Sequence, residues 1–327
     1  MKKSTSENIK GNTAEKLSRL DINSELRKKI LPLCRIKKGE IWKDPKGKHK
    51  VGVLDATKLE EVKKIFSKKK AQLVINDPPY NVVVGKANSK NLSRIDIKEY
   101  IQFSHDWVAN VISILDDNSS LYIWLGADQN DGFQPLPEFM IMMREFNNLK
   151  PRSFITMRNQ RGYGTQNNWM SVRQELLYYI KGKPSFNVTY TDIPKILGGY
   201  YKEVNGKVTD NFERSKSGFI RPGNVWVDIQ QVFYRMEENV PGAYAQKPLK
   251  SIKRIIEASS KKNNLVADFF SHSGVTLLAS EMLSRKCYAM EIDPIFAELS
   301  IRRLEHFRKT GKTGWQWNNP FPEIELK

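Results

Sequence analysis

The chain has 327 residues and carries 54 Lys and Arg against 36 Asp and Glu, which gives a net charge of +18. Its hydrophobic share of 39% is enough for a packed core and excludes a wholly disordered chain. No apolar run approaches the roughly 18 residues that span a bilayer, and the charged start lacks the apolar stretch of a signal peptide. Two cysteines build neither a disulfide framework nor a zinc knuckle, so we expect a cytoplasmic protein without a metal site. The charge exceeds what solubility needs and indicates a polyanionic partner, most simply a nucleic acid.

Half of the excess charge lies in residues 1–50, which we interpret as a basic N-terminal extension. A helical spacing of apolar residues begins there at Ala14 and continues to Ile30. From residue 51 onwards, short apolar runs alternate with amphipathic segments. They predict strands at 51–54, 73–75, 121–125, 153–157 and 175–180, with helices at 59–65, 100–115 and 139–146.

Residues 183–240 differ in character, because they are rich in Gly, Asn, Tyr, Lys and Arg and show weak periodicity. We interpret them as an inserted module. Regular patterning resumes at Pro248, which stands at the start of a predicted helix. The later predicted elements are strands at 265–267 and 287–290 and helices at 276–283 and 295–307. Strands that alternate with helices predict a mostly parallel sheet with both faces covered.

The strand at 73–75 ends at Asp77-Pro78-Pro79-Tyr80, where two prolines forbid both helix and strand ladder. Ligands of open parallel sheets bind at the carboxyl ends of strands. A carboxylate and an outward carbonyl can accept both hydrogens of a planar amino group, and an aromatic ring can stack on the base that carries it. Two such hydrogen bonds favour a pyramidal nitrogen with a free lone pair. The alternative is a Pro-Pro turn with a core tyrosine.

A second constellation, residues 266–276, is typical of a strand followed by a turn of small residues and a helix. At the end of the next predicted strand stands Glu291, an acidic residue in the position that binds ribose hydroxyls in such sheets. The following Asp293-Pro294 is assigned the helix cap and first helical residue. A single glycine, Gly274, stands where a dinucleotide site would show three, so a nucleoside cofactor fits better.

Together these motifs resemble those of S-adenosylmethionine-dependent amino-methyltransferases of DNA, of the permuted β class. In that class an Asp-Pro-Pro-Tyr strand precedes the target-recognition region, and an Asp-x-Phe-x-Gly-x-Gly strand follows it. The resemblance covers residues 51–310 and implies a Rossmann-like α/β fold with a doubly wound, mostly parallel, seven-stranded sheet. It divides the chain into a basic N-terminal extension at 1–50, a catalytic half at 51–182, a target-recognition region at 183–240 and a cofactor-binding half at 241–327.

The resemblance also assigns residues to roles. The catalytic residues are Asp77, Pro78, Pro79 and Tyr80. The residues that bind S-adenosylmethionine are Asp55, Lys247, Asp268, Phe270, His272, Ser273, Gly274, Glu291 and Ile292. His272 replaces the first glycine of the family motif, so its side chain must point away from the cofactor pocket or line it.

Three of the cofactor assignments keep an alternative. Lys247 either meets the carboxylate of the cofactor or is a solvated lysine at a helix start. Asp55 either contacts the adenine amine or is an aspartate of a surface turn. Ile292 either packs on the adenine face or is a core isoleucine.

A base in duplex DNA must leave the stack before its amine can react, so the loop at 81–94 is predicted to close over the flipped nucleotide. DNA contacts are predicted for Lys86, Lys90, Arg94, Arg214, Lys216 and Arg221. Because the motif begins with Asp, the resemblance favours adenine N6 as methyl acceptor. The alternatives are cytosine N4 and a non-catalytic DNA-binding subunit. Besides duplex DNA, possible partners are a cognate restriction endonuclease and a second copy of the chain.

Overall fold

A computed structural model of the chain describes residues 17–80, 96–126, 133–163, 167, 169–195, 199–212 and 217–325. Within these residues, nine strands form one sheet and two further strands form a ribbon of their own. Helices cover both faces of the large sheet. No helix in the described ranges is long and apolar enough to cross a membrane.

The strands are β1 (Ile41–Lys43), β2 (His49–Val53), β3 (Ala71–Asn76), β4 (Leu115–Leu125), β5 (Lys150–Tyr163), β6 (Ser171–Lys181), β7 (Gly199–Val204), β8 (Lys207–Phe212), β9 (Val225–Trp226), β10 (Leu265–Asp268) and β11 (Lys286–Glu291). The α-helices are α1 (Ser24–Ile30), α2 (Leu59–Phe66), α3 (Ile97–Ile114), α4 (Leu136–Met142), α5 (Leu249–Ser259), α6 (Val275–Met282) and α7 (Pro294–Thr310). Short 3-10 turns follow α1 and α4, at Leu31–Leu33 and Met143–Glu145.

The strand order creates the crevice that holds the site. The order is β1-β2-β11-β10-β3-β4-β6-β5-β9, and the strands from β2 to β4 are parallel neighbours. The connection from β3 leads to β4 on one side, whereas the connection from β10 leads to β11 on the other. The loops after β3 and β10 therefore diverge, and a crevice opens at the carboxyl edge of the sheet.

Alternation along the strands places apolar side chains on both faces of the sheet. In β4, Leu121, Ile123 and Leu125 face the layer of α2, α3 and α4. Tyr122 and Trp124, between them, face the layer of α5 and α6. Because successive side chains point to opposite faces, one strand contributes to two cores, as expected for a sheet that is covered on both sides. The predicted α/β class with a mostly parallel sheet is confirmed.

The sheet has nine strands where the sequence predicted seven. The first additional strand is β1. A tight turn, in which the Gly47 N–H donates to the Asp44 carbonyl, places it antiparallel to β2. β9 is the second, a two-residue strand that runs parallel to β5. Both additions are too short to show a periodic pattern, so apolar spacing could not predict them.

The described part of the N-terminal segment packs on the rest of the fold. Leu20 and Ile30 are fully buried and lie in one cluster with Ile295 and Leu299. The predicted helix is shorter than expected, because residues 17–23 form no helix and α1 begins only at Ser24. The basic segment is therefore a structural part of the protein as well as a carrier of charge.

Residues 183–240 contain the β7–β8 ribbon and then return to the sheet. The ribbon turns at Asn205 and Gly206, which both have positive φ as its two-residue hairpin turn requires. Beyond it, Trp226 and Ile229 are buried in the core on the α5 face of the sheet. The second part of this region therefore contributes to the main core.

Candidate active site

Three neighbouring parallel strands end in carboxylates at one edge of the sheet. β3 is followed by Asp77, β10 ends at Asp268 and β11 ends at Glu291. The register pairs Val266 of β10 with Leu73 of β3, so the two strands reach the edge side by side. Parallel strands carry ligands at this edge, and the two sequence motifs meet here.

A narrow cleft runs between the loops that follow β3 and β10. Its lining includes Asp77 and five of the predicted cofactor residues: Lys247, Asp268, Phe270, His272 and Ser273. The fold thus brings together residues that are distant in sequence, since Asp77 and Lys247 lie 170 positions apart. Their roles stay predictions, but their proximity is a property of the fold.

Asp77 is held by two donors. The Lys247 Nζ lies 2.7 Å from both carboxylate oxygens, and the Tyr80 hydroxyl donates to Oδ1 at 2.6 Å. The Lys247 side chain is 5% exposed and that of Asp77 is 28% exposed, so the solvated alternative for Lys247 is wrong. Burial raises the pKa of the Tyr80 phenol, which therefore stays protonated as a donor. Its ring packs on Gly126, where any Cβ would come within 3.0 Å of the ring.

The Pro-Pro turn is fixed by residues that the sequence did not single out. Tyr100 of α3 donates to the Pro79 carbonyl at 2.8 Å, and the Asn76 side chain accepts from the Phe269 N–H at 2.9 Å. The latter bond ties the end of β3 to the end of β10. In the sequence, Asn76 could have been noticed as a polar residue in a buried strand. Nothing in the sequence distinguished Tyr100. No donor among the described residues reaches the Pro78 carbonyl.

The loop after β10 is tight for steric reasons. Asp268 is buried, and its Oδ1 accepts from the Phe270 N–H at 2.9 Å. Burial raises the pKa of this carboxyl to about 7. Gly274 has φ +72°, and a Cβ there would lie 2.8 Å from the Ser300 Cα. Only glycine fits where the loop passes this close to α7.

His272 occupies a strained position in the same loop. Its φ is +42°, and its ring packs 4.5 Å from that of Phe296 while it also lines the cleft. Its backbone N–H donates to Glu291 at 2.8 Å, and its carbonyl accepts from Ser300 at 3.0 Å. Burial lowers the pKa of the imidazole to about 4, so the ring is neutral at physiological pH. His272 therefore lies among the residues that line the cleft, with its ring against Phe296.

Glu291, the residue predicted to bind the ribose hydroxyls, stands at the end of β11. Glu291 accepts from the Asp293 N–H at 3.1 Å, and burial raises the pKa of its carboxyl to about 7. Asp293 accepts from the Ile295 N–H at 2.9 Å, which confirms its predicted role as the cap of α7. Ile292 is 62% exposed, so the alternative of a core isoleucine is wrong.

Asp55 lies at the same edge, one strand further along. It follows β2, whose last residue Val53 is in register with Glu291. Its Oδ1 accepts from the backbone N–H of Thr57 at 2.9 Å and from its hydroxyl at 2.7 Å. The turn that the sequence offered as an alternative is therefore present, and contact of Asp55 with the adenine amine stays a prediction.

Arg303 is a buried residue that the sequence did not distinguish from the other arginines of α7. Its guanidinium donates to the carbonyls of Ser273 at 2.9 Å, Thr313 at 2.8 Å and Glu238 at 2.9 Å. Burial lowers its pKa to about 10, so it remains charged. It ties the loop after β10 to two other segments and so supports the wall of the cleft.

Of the predicted DNA-binding residues, Arg221 is the one that the structure describes, and it lies away from the cleft. Arg221 is exposed and lines a second cavity together with Arg152, Lys183 and Trp226. That cavity shares no lining residue with the cleft. The remaining predicted contacts lie outside the described residues: Lys86, Lys90, Arg94, Arg214 and Lys216.

The donor set of the cleft fits S-adenosylmethionine. Asp268 lines the cleft and Glu291 ends the neighbouring strand, so this edge of the sheet offers two desolvated carboxyl groups to a ligand that has a sulfonium, an ammonium and ribose hydroxyls. Ser271 and Trp124 also line the cleft, and among the described residues neither the buried Ser271 hydroxyl nor the buried Trp124 indole N–H has a hydrogen-bond partner. Buried polar atoms of this kind need a partner, and a polar ligand supplies one. The described residues contain no group of three side chains able to hold a metal ion.

Comparison with known proteins gives related sequences over most of the chain. The curated relatives include the type II methyltransferase M.HpaI of Haemophilus parainfluenzae, 27% identical over 235 residues, or 71% of this chain and 68% of that protein. They also include the DNA adenine methyltransferase YhdJ of Escherichia coli (strain K12), 26% identical over 267 residues, or 77% of this chain and 82% of that protein.

Solved structures agree on the fold. The M1.HpyAVI–SAM complex superposes with a TM-score of 0.50 at 18% identity and covers 78% of this chain and 100% of its own. The cytosine-N4-specific PvuII DNA methyltransferase has a TM-score of 0.53 at 16% identity and covers 78% of this chain and 85% of its own. At such identities the likeness shows the fold alone. A family model described as DNA methylase matches residues 71–302, which include both motifs and more than half of the sequence. The chain therefore belongs to this DNA methylase family.

Proposed function

We propose that this protein transfers a methyl group from S-adenosylmethionine to the N6 amine of an adenine flipped out of duplex DNA. The observation that carries this proposal is the position of Asp77. A rigid turn holds its carboxylate beside the Tyr80 ring and in one cleft with the predicted cofactor residues. The family and the names of the relatives support the same activity.

S-adenosylmethionine, when bound, supplies an electrophilic methyl group on a sulfonium. Asp268, Glu291, Ser271 and Phe270 are the residues that would hold it. The two carboxylates match its positive charge and its ribose hydroxyls, and the Ser271 hydroxyl gains the partner that it lacks among the described residues. A neutral His272 beside them adds no repulsion to a cationic ligand.

The residues of the catalytic turn act on the target amine. Asp77 accepts one N–H of the amine, and the Pro78 carbonyl accepts the other. Both bonds hold the nitrogen in place and free its lone pair from the ring. Tyr80 stacks on the base, which contributes about 1–3 kcal/mol. Asp77 then lies where it can take the proton that the methylated nitrogen loses.

Substitution of Asp77 tests the proposal. We expect Asp77→Asn to lower turnover by about 100-fold or more, because the amide cannot accept both the amine bond and its proton. Binding of S-adenosylhomocysteine and of DNA should remain measurable. Asp117→Asn is the matched control, since the Asp117 side chain is 93% exposed, pairs with Lys181 and lies near the start of β4, away from the cleft. Near-normal turnover of the Asp77 variant would contradict the assignment.

The melting temperature must be recorded for the Asp77 variant as well. Its substitution leaves the buried Lys247 ammonium without its carboxylate, and an unpaired buried charge costs stability. If the variant remains folded at the assay temperature, the loss of turnover reports on chemistry.

Cytosine N4 is the second candidate acceptor, because the cytosine-N4-specific PvuII enzyme shares the fold. Digesting treated DNA to nucleosides and weighing the product separates the two. We expect N6-methyldeoxyadenosine. N4-methyldeoxycytidine as the only product would overturn the choice of adenine.

We also propose the organisation around this activity. Residues 183–240, with the β7–β8 ribbon, read the target sequence, and the basic segment at 1–50 adds affinity for duplex DNA in the cytoplasm. The type II names of the relatives support a cognate restriction endonuclease as partner. Resistance of DNA methylated in vitro to an endonuclease from the same cells tests this partnership. A second copy of the chain is the other proposed partner, and sedimentation measures whether the protein is a dimer.

A further inference from the structure

The acceptor that the proposed function needs is already occupied. Lys247 donates to both carboxylate oxygens of Asp77, each at 2.7 Å. Oδ1 also accepts from Tyr80 at 2.6 Å. A target amine offers N–H donors to this same carboxylate, so the ammonium and the amine compete for one set of lone pairs.

The ammonium lies close to two aromatic rings at the catalytic turn. Its Nζ lies 5.1 Å from the centroid of the Tyr80 ring and 5.4 Å from that of Trp124. It thus stands close to the ring on which the base is proposed to stack. With 5% of its side chain exposed, Lys247 gains little from solvent, and Asp77 is the carboxylate that neutralises it.

The backbone around Lys247 is fixed, so any release must be a movement of its side chain. The next residue is Pro248, and the Leu249 N–H donates to the Glu238 carboxylate at 2.7 Å. On the other side, the Gln246 amide donates to the Val240 carbonyl at 3.0 Å. The four-carbon stem of lysine can swing while these anchors stay in place.

We propose that Lys247 stands in for the target amine while the base pocket is empty, and that base entry requires the ammonium to leave Asp77. This inference rests on the proposed function and adds a positioning residue to it, since Lys247 acts through Asp77. An empty pocket would otherwise leave a partly buried carboxylate without a strong donor, which is costly. When the base enters, the N–H donors of the target amine replace the Lys247 ammonium at the Asp77 carboxylate. Opening the pocket therefore requires little net change in bonding.

The experiment measures base extrusion without cofactor. The probe is a duplex with 2-aminopurine beside the target adenine, at a position located by sequencing of modified bases. Lys247→Met removes the competitor and keeps the stem, so the extrusion equilibrium should rise by about tenfold. Lys247→Arg forms a bidentate pair with the carboxylate and should lower it. Lys253→Met is the matched control, because Lys253 is on α5 and lines a different cavity.

The two variants must move the signal in opposite directions. A lysine that only stabilises the fold would lower extrusion in both variants, together with the melting temperature, and that result would overturn the proposal. An unchanged signal in Lys247→Met would overturn it as well. If the wild-type chain methylates no DNA, the proposed function itself fails. If it methylates DNA and the variants do not diverge, the stand-in role alone fails.

Discussion

At the scale of single residues, two desolvated carboxyl groups at the ends of β10 and β11 make the stability of the fold sensitive to pH. Burial raises the pKa values of Asp268 and Glu291 to about 7 each, well above those of an unfolded chain. The folded state therefore holds these protons at pH values where the unfolded chain has lost them. The stability that they contribute is complete below pH about 4 and is lost as the pH rises through about 7.

We predict that the free energy of unfolding of the ligand-free protein falls between about pH 4.5 and 7 partly through these groups. The slope from one such group is at most about 1.4 kcal/mol per pH unit. Asp268→Asn cannot titrate, so its unfolding free energy should depend less steeply on pH. Urea unfolding of both proteins across this range measures the difference. Equal slopes would show that Asp268 does not titrate there.

At the scale of elements, helix ends place the cofactor loop. Gly274 is the N-cap of α6 with φ +72°, and Gly311 is the C-cap of α7 with φ +76°. A Cβ on Gly274 would meet the Ser300 Cα at 2.8 Å, whereas a Cβ on Gly311 would have no atom within 4 Å. The two glycines therefore share a left-handed backbone, and they differ in whether an added Cβ would meet a neighbouring atom.

We predict unequal costs for the same substitution at these glycines. Gly311→Ala should lower the free energy of unfolding by about 1 kcal/mol, through the left-handed backbone alone. Gly274→Ala should cost about 1–3 kcal/mol more, because the loop must move off Ser300. It should also weaken binding of S-adenosylhomocysteine, since His272 and Ser273 move with the loop. Urea unfolding and titration calorimetry measure both, and equal effects would exclude the clash.

Elements with a long periodic pattern could be predicted from the sequence, and those held by tertiary contacts could not. The strand at 73–75 and the helix at 295–307 were found at β3 and α7, and local chemistry was enough to assign Asp293 as a cap. By contrast, β9 exists only because β5 offers it an edge. The pair between Lys247 and Asp77 joins positions 170 apart, a distance that no local pattern spans.

At the scale of the whole molecule, the positive charge lies on both edges of the sheet. Lys37 and Lys38 are exposed. They lie next to Gly39, whose N–H donates to the carbonyl of Val53 at the end of β2, so they stand at the edge of the sheet that carries the cleft. Lys68 and Lys69 are equally exposed but precede β3, at the opposite edge. These exposed lysines therefore do not form a single binding surface.

A deletion of the basic segment cannot test its role, because residues 17–33 include buried side chains of the core. Charge neutralisation at matched sites can. We predict that Lys37→Gln with Lys38→Gln weakens binding to duplex DNA and lowers the slope of log affinity against log salt by about 2. Lys68→Gln with Lys69→Gln removes the same charge from the far edge and should leave the slope unchanged. Fluorescence anisotropy at several salt concentrations measures both, and equal losses for the two pairs would mean that DNA does not lie along the cleft edge.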